Sequence, residues 1–205
     1  MKLYYSPNAC SLGIHFLLEE IGRPFELEKV DLAGGAQYKA PFKEINPKSK
    51  VPALQLDDGS LLTEFPAIAY YLAGTAPGKQ LFPADTRSQA KVLEILDYLI
   101  ATVHMRGFTR MFRPGVFTPS EADIEQVRGA GLEVIKTGFA VLEPELGAKD
   151  YIAGDFSIAD AALFFLEFWA RTRVHLVLPA SFEAHLDRML ARPAAQRALK
   201  SEGLL

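Results

Sequence analysis

The 205-residue sequence has a single cysteine, Cys10, so it can form no intramolecular disulfide. That absence makes a reducing compartment, the cytoplasm, its expected home. It has no marked excess of either charge: 22 Lys and Arg stand against 25 Asp and Glu, a formal net charge of −3. Such a balance gives no electrostatic reason to expect nucleic acid or an anionic membrane as partner. No apolar run approaches the roughly 20 residues needed to span a bilayer. Pro7 interrupts the N-terminal segment before a signal-peptide stretch can develop. A dinucleotide fingerprint, a phosphate loop, metal-type Cys/His spacing and internal repeats are also missing. What is there is a globular composition, 49% hydrophobic and 23% charged, in a chain long enough for one large domain or two small ones.

The first eighty residues differ in texture from the rest. KLYYS (2–6) reads as a strand stopped by Pro7-Asn8, and Ile14, Leu17, Leu18 and Ile21 then repeat at helical spacing up to Gly22 and Pro24. FELEKVD (25–31) reads as a second strand, and 33–46 as a loop with one helical turn. VPALQL (51–56), Asp57-Asp58-Gly59-Ser60 and LLTE (61–64) read as a hairpin turned at Asp-Gly. Pro66 sits where a first-turn proline belongs, opening a short helix. Beyond Gly74 strand signals stop, and helical patterns occupy 86–112, roughly 120–146, 158–172, 181–191 and a piece from 193. We therefore expect an α/β domain over 1–76, a connection over 77–86 and an all-helical domain over 87–205. Ser157 and Asp160 form a short variant of a helix capping box, a device for stability.

Three features of the first domain carry chemistry. Cys10 follows the first strand at a helix start, where unpaired N–H groups and the helix dipole favour thiolate. A small residue filling a strand–helix corner is an equally good reading of that position. Pro52 at a strand head implies an edge, a bend or a cis bond. A cis bond would turn the Val51 backbone toward an extended peptide ligand, whereas a plain strand-start proline needs no ligand. Glu64 ends a strand where a helix begins at Phe65. Helix N–H groups can hold a carboxylate there and Glu64 an ammonium, together a receptor for an amino-acid head group. Equally, Glu64 is simply an acid well placed near a helix N-terminus.

Taken together, KLYYSPNACS, NPKSKVPAL, LDDGSLLTE and FSIADAALF resemble the cytosolic glutathione S-transferases, most closely their bacterial beta class, nearly end to end. Cys10-Ser11-Leu12 and HMRGFTRMFRP (104–114) point to the class. The resemblance implies a thioredoxin-like domain with a mixed four-stranded sheet, β-α-β-α-β-β-α, followed by an all-α domain. It implies glutathione as co-substrate, no tightly bound cofactor or metal, a homodimer, and a small electrophilic, mostly apolar acceptor. Cys10 and His104 would be catalytic, with Cys10 meeting the glutathione sulfur. Val51-Pro52 would pair with the cysteinyl backbone, and Glu64 and the Phe65 N–H would hold the γ-glutamyl head. Asp97 would reach that head from the partner subunit, and its i, i+7 spacing from His104 would set both on one helix face. Tyr5, Phe108, Phe112 and Trp169, with Arg173 nearby, are candidates for the acceptor pocket. Arg106, Arg110 and Arg113 read better as a solvated face.

The sequence departs from the family pattern at two places. Phe65 stands where relatives carry Ser or a small residue, and its ring would crowd the head-group pocket. The lysine that usually meets the glycyl carboxylate is absent from Leu32-Ala33-Gly34-Gly35-Ala36, leaving Lys39 or Lys50 as substitutes. Losing one charge-assisted contact costs about 1.5–3 kcal/mol. Two alternatives follow: a thiol/disulfide or peroxide redox enzyme using Cys10, and a non-catalytic ligand-binding or regulatory member of the fold.

Overall fold

A computed structural model describes all residues, 1–205. The chain divides into two units, Met1–Phe82 with Asp187–Leu205, and Pro83–Leu186. The division falls between Phe82 and Pro83, and the C-terminal segment Asp187–Leu205 groups with the first unit. The reason is a set of bonds from that segment to the first helix: Arg192 to Glu20, Arg197 to Glu19, and Glu202 to His15.

In the first unit, β1 (Lys2–Tyr5), β2 (Glu26–Lys29), β3 (Ala53–Gln55) and β4 (Leu61–Thr63) form one sheet in the order β2-β1-β3-β4. β1 pairs parallel with β2, Leu3 opposite Leu27, and antiparallel with β3, Leu3 opposite Leu54. β3 pairs antiparallel with β4, and the hairpin turn is closed by the Gly59 N–H on Leu56 O, with Gly59 at φ +84°. The strand alternation works on both faces of β1. Tyr5 meets the His15 ring of α1 (Ser11–Ile21), while Tyr4 packs on Phe42 of the one-turn α2 (Phe42–Ile45). α1 is buried along most of its length, ends at Gly22 in the left-handed conformation, and packs on α3 (Phe65–Thr75). The loop of 33–46 thus holds two short helical turns, Ala36–Tyr38 and α2. This is a thioredoxin-like arrangement.

The second unit is helical. α4 (Thr86–Asp97) starts at Asp85, whose carboxylate accepts from the Ser88 N–H. It runs without a break through a π-helical stretch, Tyr98–Phe108, into α5 (Thr109–Phe112). α6 (Ile124–Leu146) lies tight against that rod because Gly107, Gly131 and Gly138 leave room. A Cβ on Gly131 would lie 2.9 Å from Gly107 O, and one on Gly138 2.6 Å from Val103 Cγ2. α7 (Ile158–Trp169) is buried in every residue, which its apolar composition allows. Its capping box is present: the Ser157 N–H donates to Asp160 Oδ2 at 2.8 Å, and Ser157 Oγ accepts from the Ala159 N–H at 3.3 Å. α7 passes into a second π-helical stretch, Ala170–Val174. α8 (Ala180–Ala191) spans the division, and α9 (Pro193–Ser201) packs on α1 in the first unit. No helix is long and apolar enough to cross a membrane.

Candidate functional site

The loop between β1 and α1 carries Cys10 at the N-cap of α1. Its course is fixed by short polar residues. Ser11 Oγ donates to Ser6 O and accepts from the Ser6 N–H, both at 3.2 Å. Asn8 is held at φ +56°, a region asparagine tolerates better than most residues, and its N–H donates to Glu202 Oε2 at 2.9 Å. Glu202 Oε1 in turn pairs with His15 Nδ1 at 2.9 Å, both side chains being fully buried.

Opposite Cys10 lies the turn before β3. Buried Asn46 builds it: Nδ2 donates to Lys50 O at 2.8 Å and Oδ1 accepts from the Lys48 N–H at 3.1 Å, an Asx turn. The turn ends in a cis Val51–Pro52 bond, so the expected proline is a bend at the head of a strand paired on both sides. The Cys10 thiol donates to Val51 O at 3.2 Å.

The surroundings of the thiol oppose its ionisation. Although part of Cys10 meets solvent, the protein packed around its sulfur desolvates the charged form and pushes the thiol up to about 12. The N–H groups of Cys10 and Ser11 and the Lys50 cation pull the other way and are outweighed. Helix-start stabilisation is present, then, but burial wins, and the resting residue is a neutral thiol.

The Glu64–Phe65 junction is also distinctive. Glu64 sits at φ +70° and ψ +126°, a conformation that costs a residue with a Cβ of order 1–3 kcal/mol and that clusters at functional sites. Its carboxylate does not cap α3. Instead Lys48 Nζ donates to Glu64 Oε1 and to Thr63 Oγ1, both at 2.8 Å. The Phe65 side chain is 4% exposed, so its ring is packed away and does not stand in an open head-group pocket, contrary to expectation. Of the two substitute lysines, Lys39 turns onto its own loop, Nζ donating to Gly34 O at 3.2 Å, and Lys50 is the cation acting on Cys10.

In the second unit, His104 and three of the expected pocket aromatics come together. The His104 ring lies 5.3 Å from Trp169 and 5.6 Å from Phe165, and Trp169 lies 5.5 Å from Phe108 and 5.4 Å from Phe112, all edge-on. The Arg173 guanidinium covers the Phe112 face at 3.6 Å. Both π-helical stretches contribute to this group, His104 and Phe108 from one and Arg173 from the other. Such stretches are uncommon and gather at functional sites. They also remove the argument that set Asp97 and His104 on one face, since i, i+7 alignment assumes about 3.6 residues per turn. Asp97 is exposed. Tyr5 belongs to the first unit, 8% exposed against His15, a core position. Arg106 and Arg113 are exposed, and Arg110 covers Phe117 at 4.3 Å. No cluster of His, Cys, Asp and Glu is arranged to hold a metal ion. Sequence reasoning missed Lys48, Asn46, Glu202 and Phe165. Only Asn46-Pro47 carried a visible signal, as a turn dipeptide.

Comparison with known proteins identifies the family. Residues 8–75 match the model of the glutathione S-transferase N-terminal domain. The chain is 40% identical to glutathione S-transferase GstA of Escherichia coli O157:H7, over 100% of both chains. The beta-class glutathione S-transferase of Sphingomonas chungbukensis superposes with a TM-score of 0.86 at 36% identity, covering 100% of each chain. A sphingomonad glutathione S-transferase complexed with glutathione gives 0.85 at 36% identity, again over 100% of each.

Proposed function

The chain belongs to the glutathione S-transferase family, and from that premise we propose how its own residues carry glutathione transfer to small, electrophilic, mostly apolar acceptors. It is a glutathione-using transferase of the beta-class type, with glutathione as co-substrate. The observation that carries the residue assignment is the 3.2 Å bond from Cys10 to Val51 O. A donor at the sulfur already reaches the carbonyl assigned to the cysteinyl N–H of glutathione, so ligand and thiol compete for one acceptor. Glutathione, pairing with the Val51 backbone, frees the Cys10 S–H to donate to the glutathione sulfur. A neutral thiol suits that task, because it stabilises a thiolate as a hydroxyl would. Glu64 and the first turn of α3 take the γ-glutamyl head, and Asp97 of the partner subunit of a homodimer completes it. His104 takes the proton from the glutathione thiol. The thiolate then forms a bond to the electrophilic carbon. In substitution the leaving group departs with its bonding pair and the proton passes from His104 to solvent, and in addition the π pair shifts onto the acceptor and is protonated there. Phe108, Phe112 and Trp169 supply apolar surface for the acceptor. A cytoplasmic location and a homodimer complete the proposal, the latter checked by light scattering.

A redox role for Cys10 would require its thiolate, whose formation burial of the sulfur opposes. Conjugation to a chlorodinitrobenzene acceptor by Cys10→Ser and Cys10→Ala separates the readings. A hydrogen-bond donor role predicts that Ser retains clearly more kcat than Ala. Equal loss in both variants would mean that sulfur chemistry itself is required.

A further inference from the structure

We propose that Lys48 is a specificity residue for glutathione, forming with Glu64 a two-charge clamp that takes the zwitterionic γ-glutamyl head as a unit. The inference rests on the assignment of Glu64 to that head. Three observations lead to it. First, Lys48 Nζ lies 2.8 Å from Glu64 Oε1 and 2.8 Å from Thr63 Oγ1, so a cation and an anion stand side by side on one exposed surface. Second, both side chains are more than half exposed, 54% and 56%, which makes the pair a poor stabiliser in its own right and leaves both groups open to a ligand. Third, the residue after the acid is Phe65, whose buried side chain has no hydroxyl to offer the α-carboxylate of the head.

A zwitterion needs an acceptor for its ammonium and donors for its carboxylate. Glu64 supplies the first. Phe65 contributes its N–H alone, and Lys48 is the adjacent group able to supply a charged donor. Head-group binding then exchanges partners: the ligand ammonium replaces Lys48 on Glu64, and Lys48 turns to the ligand carboxylate, so neither charge is left unpaired. The backbone of Lys48 is anchored by Asn46 Oδ1, and its side chain, held to Glu64 and Thr63 but more than half exposed, has room to turn to a ligand. The clamp also rationalises how a chain with no lysine within residues 32–36 would hold glutathione: recognition shifts from the glycyl end to the γ-glutamyl end.

The opposite role, a lysine that blocks the site by imitating the ammonium, makes the opposite prediction, so the sign of one measurement decides. Calorimetric titration of the full-length protein uses three tripeptides: glutathione, γ-aminobutyryl-cysteinyl-glycine (no α-carboxylate) and glutaryl-cysteinyl-glycine (no α-ammonium). Lys48→Met should weaken glutathione roughly three- to tenfold, leave γ-aminobutyryl-cysteinyl-glycine bound at least as tightly as before, since its ammonium no longer has to displace Lys48, and be rescued in large part by Lys48→Arg. Glutathione that binds Lys48→Met equally or more tightly overturns the proposal, and so does an equal loss for both tripeptides. Glu64→Gln should weaken glutathione but not glutaryl-cysteinyl-glycine. If it leaves glutathione unaffected, the head-group assignment itself fails, which the Lys48 result alone would not show.

Discussion

The Cys10 thiol donates to the Val51 carbonyl oxygen at 3.2 Å, and this bond joins the two loops that frame the first unit's site. Burial of the sulfur, not the bond itself, opposes the thiolate that a helix start would otherwise favour. Alkylation of Cys10 by iodoacetamide in the glutathione-free protein should therefore keep accelerating with pH through about pH 10, without the plateau of an ordinary thiol near 8.5. A plateau at or below neutral pH would show an activated thiolate.

Glu202 ties the C-terminal segment to the Cys10 loop through the Asn8 N–H and the His15 imidazole. Glu202→Ala leaves two buried polar groups without their partner. We expect a loss of about 2–3 kcal/mol in chemical denaturation, together with faster Cys10 alkylation as the loop loosens. An unchanged alkylation rate would mean that the loop is fixed by its own serines.

The second unit buries an ionisable group of three: His185 Nδ1 meets Glu167 Oε2 at 2.8 Å and His185 Nε2 meets Asp160 Oδ1 at 3.2 Å. Burial alone would lower His185, but the Glu167 and Asp160 carboxylates outweigh it and raise the imidazole to about 9. Burial raises Glu167 to about 7 against the pull of His185, with Arg171 also nearby. Both groups thus hold protons more tightly folded than unfolded. Their stabilisation is complete below the unfolded values and is lost as pH rises through about 7 and then about 9. The melting temperature should fall between those two values of pH, and His185→Ala should cost about 3–5 kcal/mol near neutrality. A flat or rising stability curve over that interval would contradict the charged imidazole.

Two glycines of α6 should respond in opposite directions. Gly131→Ala pushes a methyl group against Gly107 O and Arg110 Cβ and should destabilise by about 1–3 kcal/mol. Gly129 faces open space within the same helix, so Gly129→Ala should stabilise by about 0.5–1 kcal/mol. Thermal unfolding of the two variants distinguishes close helix packing from a general preference for alanine.

The elements of the first unit were readable because each carries local signals: the alternation in β1, the Gly59 turn and Pro66 at the start of α3. The helical spans were readable for the same reason. The π-helical stretches were not, since periodicity cannot tell a widened turn from an ordinary one over a few residues, and the face shared by Asp97 and His104 was lost with it. Nor was the grouping of 187–205 with the first unit, which depends on Glu202, Arg192 and Arg197 meeting α1 across most of the chain. At the site, Cys10, Val51 and Glu64 were legible as residue types at turns. The balance that leaves Cys10 protonated, and the pairing of Lys48 with Glu64, are contacts between distant residues that only the fold brings about.

The central claim is glutathione transfer by this chain, and its most direct test is the initial rate of conjugation to chlorodinitrobenzene as glutathione is titrated at fixed acceptor. The account predicts a hyperbolic rise to saturation, well above the uncatalysed reaction, with Val51 and Glu64 engaged by the same bound tripeptide. A rate that stays linear in glutathione and equal to the background would contradict it.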